Sequence, residues 1–170
     1  MLRKPPSTRF FAAISLVLAL VLPGCGGSGG ASGGPAMPDF DLTSLEGSAV
    51  TKASLAGKVV VYDFWATWCG PCHLQADILR EALPMVQAKG AELVGIATGE
   101  DPQVVRDFAA KRSFPWRVLV DPEEKLSNQL EILGLPTIVI TDRDGRISFR
   151  QTGIVDPARL EREIEKAGGS

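Results

Sequence analysis

The sequence predicts an α/β domain, a mixed central sheet flanked by helices with a small hairpin added at its N-terminal edge. Three observations lead there. Buried-looking runs rich in β-branched residues recur at 59–65, 91–98 and 137–142, each short enough to be a strand. Stretches that open on Asp-Pro lie between the last two, at 101–102 and 121–122, and after the third, at 156–157, where the acid can cap a helix and proline suits its first turn. The last run is followed by the turn RDGR and a returning strand at 147–152. Strand–helix–strand units require parallel pairing and a hairpin antiparallel pairing, so the sheet must be mixed.

The N-terminus reads as a targeting segment. Arg3, Lys4 and Arg9 precede an apolar run of 13 residues, 10–22. That is short of the roughly 20 residues a membrane span needs and suits a signal peptide. LPGC at 22–25 resembles a bacterial lipoprotein processing site, although Pro23 is uncommon in one. Residues 1–24 are then the lipoprotein signal peptide and Cys25 the lipidated first residue. The alternative is an ordinary secretory peptide that leaves Cys25 a free thiol. Lipidation accounts for the odd cysteine count, since Cys69 and Cys72 remain as a pair. GGSGGASGGP at 26–35 is a flexible linker with a root-mean-square reach of about 16–19 Å. The folded domain is expected over 36–170, in the bacterial cell envelope, facing away from the cytoplasm where disulfides persist.

Composition narrows the partners. Of 170 residues, 45% are hydrophobic and 22% charged, as in an ordinary globular protein. Without residues 1–24 the chain carries 15 basic against 20 acidic residues, net −5. Nucleic-acid binding needs a clustered basic face, so no nucleic acid is expected. A monomer is expected.

Within the domain, residues 38–58 are expected to supply the edge hairpin. VVVYDFW at 59–65 is the central strand. Residues 73–89 read as a helix with Pro71 in its lead-in and Gly90 at its end. Pro84 should kink or split it, at a cost of about 3 kcal/mol if nothing adjusts. AELVGIAT at 91–98 is the second strand, then a helix to about Arg112, a short strand at 117–120 and a short helix from Asp121 to about Leu130. TIVITD at 137–142, ISFRQT at 147–152 and a helix from Asp156 to near Ala167 close the domain.

The chemistry centres on WCGPCH, 68–73. Cys-x-x-Cys at a strand-to-helix junction puts both sulfurs on one face of the first turn, at a separation suited to a disulfide. Cys69 at the helix N-terminus would have its thiolate stabilised by free N–H groups and the helix dipole. Lowering a thiol pKa from about 8.5 to about 7 raises the thiolate fraction at pH 7 from roughly 3% to roughly 50%. Cys69 is therefore the expected nucleophile and Cys72 the resolving thiol. Asp63 is a candidate base for Cys72, because burial in an apolar strand raises a carboxyl pKa towards neutrality. The alternative is a structural acid paired with the backbone or with a lysine such as Lys58. Pro136 in GLPT, 134–137, is by itself compatible with a plain proline at the start of a strand, since only about 5–6% of X–Pro bonds are cis.

Cys-x-x-Cys-His is also a c-type haem attachment pattern. Haem iron usually needs a second axial ligand. His73 is the only histidine, and Met37 and Met85 are the only methionines beyond the signal segment, so the haem reading is disfavoured. Zinc lacks a clear fourth ligand.

DFWATWCGPC at 63–72 followed about 65 residues later by GLPT resembles a thioredoxin-fold protein. With the exported, anchored N-terminus, TGEDPQVVRDFAAKRSFPWRVLVDPEEKL and GLPTIVITDRDGRISFRQTG, the chain resembles the TlpA-type membrane-anchored thiol–disulfide oxidoreductases. That resemblance implies a thioredoxin fold with Cys69 attacking, Cys72 resolving and Pro136 as a cis-proline beside them. It implies that Leu135 offers backbone hydrogen bonds to a substrate chain, that Trp68 flanks the pair on the surface, and that Trp68, Gly70 and Pro71 join Leu135 in binding substrate. It implies no cofactor beyond the Cys69–Cys72 disulfide. The partners it implies are envelope protein thiols or disulfides and a membrane electron donor.

Three departures stand out. Many members with roles in cytochrome maturation carry an acid three residues after the second cysteine, where this chain has Gln75. Gly70-Pro71 and Asp63 look more like general thioredoxin than like those members. His73 replaces the usual Lys or Arg, either as an exposed residue without a role or as an aid to the thiolate when protonated. Gly-Pro and the buried acid resemble those of reducing thioredoxins, and that resemblance implies reduction of substrates rather than oxidation. The alternatives are an oxidase or isomerase, a thiol-dependent peroxidase of the redoxin group, and an inert disulfide in a binding lipoprotein.

Overall fold

A computed structural model describes residues 1, 2 and 34–169. The chain divides into two compact units, Met1–Ala31 and Ser32–Ser170, and the second holds every strand and helix of the described residues. Cys25 and the segment read as a signal peptide and linker lie outside the described residues, apart from the first two and last two positions of that segment.

Seven strands form one sheet in the order β2-β1-β5-β4-β3-β6-β7. They are β1 (Asp41–Ser44), β2 (Ala49–Thr51), β3 (Val59–Trp65), β4 (Ala91–Thr98), β5 (Arg117–Asp121), β6 (Thr137–Thr141) and β7 (Ile147–Thr152). The helices are α1 (Gly70–Ala88), α2 (Pro102–Arg112), α3 (Lys125–Gln129) and α4 (Pro157–Gly168), with a 3₁₀ turn at Lys52–Leu55. β3, β4 and β5 are parallel, and β6 and β7 join antiparallel beyond β3. The β1–β2 hairpin adds to the other edge through β5. This is the mixed α/β thioredoxin-like sheet that the sequence predicts, N-terminal hairpin included.

Alternation along β3 builds two cores. Val59, Val61 and Trp65 face one side with Leu79 and Val86 of α1 and Leu160 and Ile164 of α4. Val60, Tyr62 and Phe64 face the other, with Leu55, Leu126 and Leu130. A strand buried on both faces has no polar alternation, which is why 59–65 reads as a continuous apolar run. On α1 the buried positions Cys72, Gln75, Ala76, Leu79, Ala82 and Val86 recur every three or four residues and make one stripe against the sheet.

Two elements differ from expectation. Pro84 lies inside α1, yet the helix is one element through Ala88. Pro84 is exposed, so the Arg80 carbonyl that its missing N–H would have met can turn to water. Asp121 does not open a helix at Pro122. It ends β5, and its carboxylate reaches forward to accept from the N–H groups of Leu126 and Ser127 and from the Ser127 hydroxyl. The helix is thereby shortened to Lys125–Gln129.

The chain joins the domain at the end remote from the Cys-x-x-Cys segment. Gly34 N–H donates to Ile147 and Ile147 N–H to Pro35, beside the β6–β7 turn. Thr137 and Thr152, at the opposite ends of those strands, pair with each other, and Thr137 pairs with Phe64.

Candidate active site

Cys69 is the N-cap of α1 and Pro71 lies in its first turn. Cys69 and Cys72 form a disulfide, with Cα atoms 5.3 Å apart. Cys72 N–H donates to Cys69 Sγ at 3.2 Å. The same donor would face a Cys69 thiolate in the reduced protein, adding to the dipole at this helix end. Cys69 is 5% and Cys72 2% exposed. Trp68 beside them is 73% exposed.

Asp63 is buried on β3, on the face that carries Trp65 and the pair. Its Oδ1 has no hydrogen-bond partner among the described residues. Burial raises its pKa from 3.8 to about 7. Lys58, the partner considered from sequence, pairs instead with Glu92 at 2.7 Å.

The Leu135–Pro136 bond is cis. Pro136 C=O accepts from Gly153 N–H, and Thr137 Oγ1 donates to Gly134 C=O. Leu135 packs against the cluster containing both cysteines. Neither its N–H nor its C=O has a turn or loop partner among the described residues. Trp68 and Leu135 line one side pocket of about 240 Å³. Trp68, Cys69, Gly70, Pro71, Cys72, Leu135 and Pro136 thus gather at one end of the sheet.

Sequence reasoning missed the clasp behind this loop. The Glu100 carboxylate accepts from Thr67 N–H at 2.6 Å and from the Thr67 hydroxyl. His73 Nε2–H donates to Thr67 C=O at 2.8 Å, with its ring 5.1 Å from that of Phe108. All three polar groups of Thr67 are therefore held, one residue before Trp68. His73 is half-buried and engaged rather than a freely exposed helix residue, and its Nε2 is spent on the carbonyl. Thr67 next to WC is a faint signal, but nothing in the sequence marks Glu100, 33 residues away, as its partner.

Gln75 is fully buried. Its Oε1 accepts from Val155 N–H at 2.7 Å and its Nε2 donates to Val155 C=O at 3.3 Å. It ties α1 to the β7–α4 loop, the loop whose Gly153 holds Pro136.

Comparison with known proteins agrees with this geometry. The thiol-disulfide oxidoreductase ResA of Geobacillus kaustophilus is 30% identical over 132 residues, 78% of this chain and 76% of that protein. A thiol:disulfide interchange protein of the thioredoxin family from Chlorobium tepidum has a similar solved structure, with TM-score 0.69 and 27% identity over 81% of this chain and 97% of that one. A secreted Mycobacterium tuberculosis disulfide oxidoreductase homologous to E. coli DsbE superposes with TM-score 0.65 at 25% identity, covering 75% of this chain and 95% of that one. The family profile named Redoxin matches residues 31–167. That span takes in the whole sheet and the cysteine pair, and the chain belongs to the Redoxin family.

Proposed function

We propose that this protein is an extracytoplasmic thiol–disulfide oxidoreductase that reduces disulfides of envelope proteins. The observation that carries the reading is the Cys69–Cys72 disulfide at the N-terminus of α1, above a strand whose buried Asp63 has a pKa near 7. The names of the relatives, thiol-disulfide oxidoreductase and thiol:disulfide interchange protein, point the same way.

In the reduced protein, the Cys69 thiolate attacks one sulfur of a substrate disulfide. The substrate's other sulfur leaves as a thiolate, and a Cys69–substrate mixed disulfide forms. Asp63 takes the Cys72 proton, and the Cys72 thiolate then attacks Cys69 Sγ. The second substrate thiolate leaves and the proton passes to it. Two electrons have moved from the protein dithiol to the substrate, and Cys69–Cys72 is again a disulfide. A carboxyl with a pKa near 7 suits this role, because it can both accept and return a proton at neutral pH. Regeneration requires a dithiol donor, which we place in the membrane.

The N-terminal segment supports a lipid anchor at Cys25, with the domain held on the outer side of a membrane by the Gly/Ser linker. Cys25→Ser should move the protein from the membrane fraction to the soluble envelope fraction. Retention in the membrane would remove the anchor.

The function is tested by a redox titration of residues 26–170 against defined dithiol buffers. A strongly reducing midpoint supports a reductase; each 30 mV corresponds to about 1.4 kcal/mol for this two-electron couple. A midpoint as oxidising as that of a disulfide donor would reverse the direction and make the protein an oxidase or isomerase.

A further inference from the structure

The side pocket next to the disulfide has a chemistry of its own. At about 240 Å³ it is smaller than the roughly 300–1,000 Å³ of small-molecule sites, and so is scaled to a single side chain. Its lip is apolar, made by Trp68, Leu135 and Leu133, the last 95% exposed.

Its inner wall carries two buried hydroxyls. Thr98 and Ser127 are 6% and 4% exposed, and their hydroxyls lie 2.6 Å apart. The Ser127 hydroxyl donates to the buried Asp121 carboxylate at 2.7 Å. Its proton is therefore committed, so the Thr98 hydroxyl must donate to Ser127. With both protons committed along this relay, the two hydroxyls can only accept from a group that enters the pocket.

Glu124 supplies the charge. Its carboxylate lies across Gly99, where an added Cβ would come within 2.9 Å of Oε1. Glycine, with φ +71°, is what leaves room for it. Among the described residues, Glu124 is the only charged one lining the pocket; it is exposed, and its carboxylate has no ion-pair or hydrogen-bond partner there. Asn128 on the rim can turn its carbonyl inward. Two hydroxyls that can only accept, one unpaired carboxylate and an apolar lip suit a long side chain with an apolar stem and a cationic head.

We propose that this pocket receives a lysine or arginine side chain of the substrate polypeptide, close in sequence to the cysteine that Cys69 attacks. The substrates would then be extended cysteine-containing segments with a basic residue nearby. This rests on the thiol–disulfide exchange proposed above.

The test uses the reduced protein and short peptides whose single cysteine is capped as a 2-pyridyl disulfide, a neutral reporter released as 2-thiopyridone. Lysine, norleucine or glutamate is placed in turn at each of the two positions on either side of the cysteine. At one of these positions or more, the lysine peptide should react three- to tenfold faster than its norleucine counterpart. That ratio should shrink with added salt, fall towards one in Glu124→Gln, and invert towards the glutamate peptide in Glu124→Lys. An unfolded dithiol would react without selectivity and pull any ratio towards one, whereas only a folded pocket can invert it, so Glu124→Lys separates loss of the charge from loss of the fold. Equal rates for lysine and norleucine at every position, or a preference that survives Glu124→Gln, would overturn the pocket assignment while leaving the redox reading intact. Failure of the reduced protein to release thiopyridone from any peptide would overturn the redox reading and this inference with it.

Discussion

Asp63 on β3 pairs in register with Gly95 on β4, and the glycine offers the carboxyl neither a side-chain donor nor a counter-ion. The space over Gly95 is taken by two indoles: a Cβ there would lie 3.1 Å from the Nε1 atoms of both Trp65 and Trp116. Residues paired across a parallel ladder share a face, so Asp63 is walled in on its own side. Desolvation without compensation is what lifts its pKa to about 7.

This burial has a sign. Below pH 3.8 the carboxyl is protonated in both folded and unfolded chains and costs nothing electrostatically. Between 3.8 and about 7 the unfolded chain releases the proton while the native one keeps it, so stability falls as pH rises, by up to roughly 4 kcal/mol. Asp63→Asn should therefore gain stability relative to the natural protein between pH 4 and pH 8. Urea unfolding at the two pH values checks this, and a difference that does not change with pH would rule it out.

Removing Cys72, the resolving thiol of the proposed mechanism, should arrest exchange halfway. Cys72→Ser, reduced and mixed with a disulfide-bearing peptide, is expected to accumulate a mixed disulfide through Cys69, visible by intact mass and reversed by dithiothreitol. Cys69→Ser should accumulate far less, because its remaining thiol lies inside the first turn and lacks the N-cap position that stabilises a thiolate. Trapping mainly through Cys72 would exchange the two roles.

The Thr67 clasp predicts stability losses at a distance from the sulfurs. Glu100→Ala leaves Thr67 N–H and hydroxyl without their acceptor and should cost about 1–3 kcal/mol in urea unfolding. Thr67→Val removes one of those two bonds and should cost less. The double variant should cost less than the sum, with a coupling of about 0.5–3 kcal/mol. Strict additivity would mean that the two side chains act independently.

Gln75 holds Val155 by both amide groups. Gln75→Ala should cost about 2–5 kcal/mol, from a cavity and two orphaned backbone groups. Gln75→Glu keeps the volume but buries a carboxylate against a carbonyl. Its folded-state pKa should rise, so the variant should resemble the natural protein near pH 4 and lose stability as pH increases. Parallel thermal scans across that range distinguish the two effects, and a Gln75→Glu deficit of equal size at both ends would contradict the argument.

The strands, the helix starts and the cysteine pair were legible in the chain because their causes are short-range. The β-branched apolar run at 59–65, Asp-Pro caps at 101 and 156, the Asp-Gly turn at 144–145 and the three-residue cysteine spacing each act within one turn or one strand. Tertiary structure decided what meets across the end of the sheet. Pro84 is tolerated in α1 because it falls on the solvent side. Thr67 finds Glu100, Gln75 finds Val155, and Trp68 shares a pocket with Glu124 and Leu133 because the order β5-β4-β3-β6 brings the ends of these strands and their following or preceding loops together. Those partners lie from 33 to 80 residues apart, a separation over which local periodicity carries no information, so strand order alone selects them.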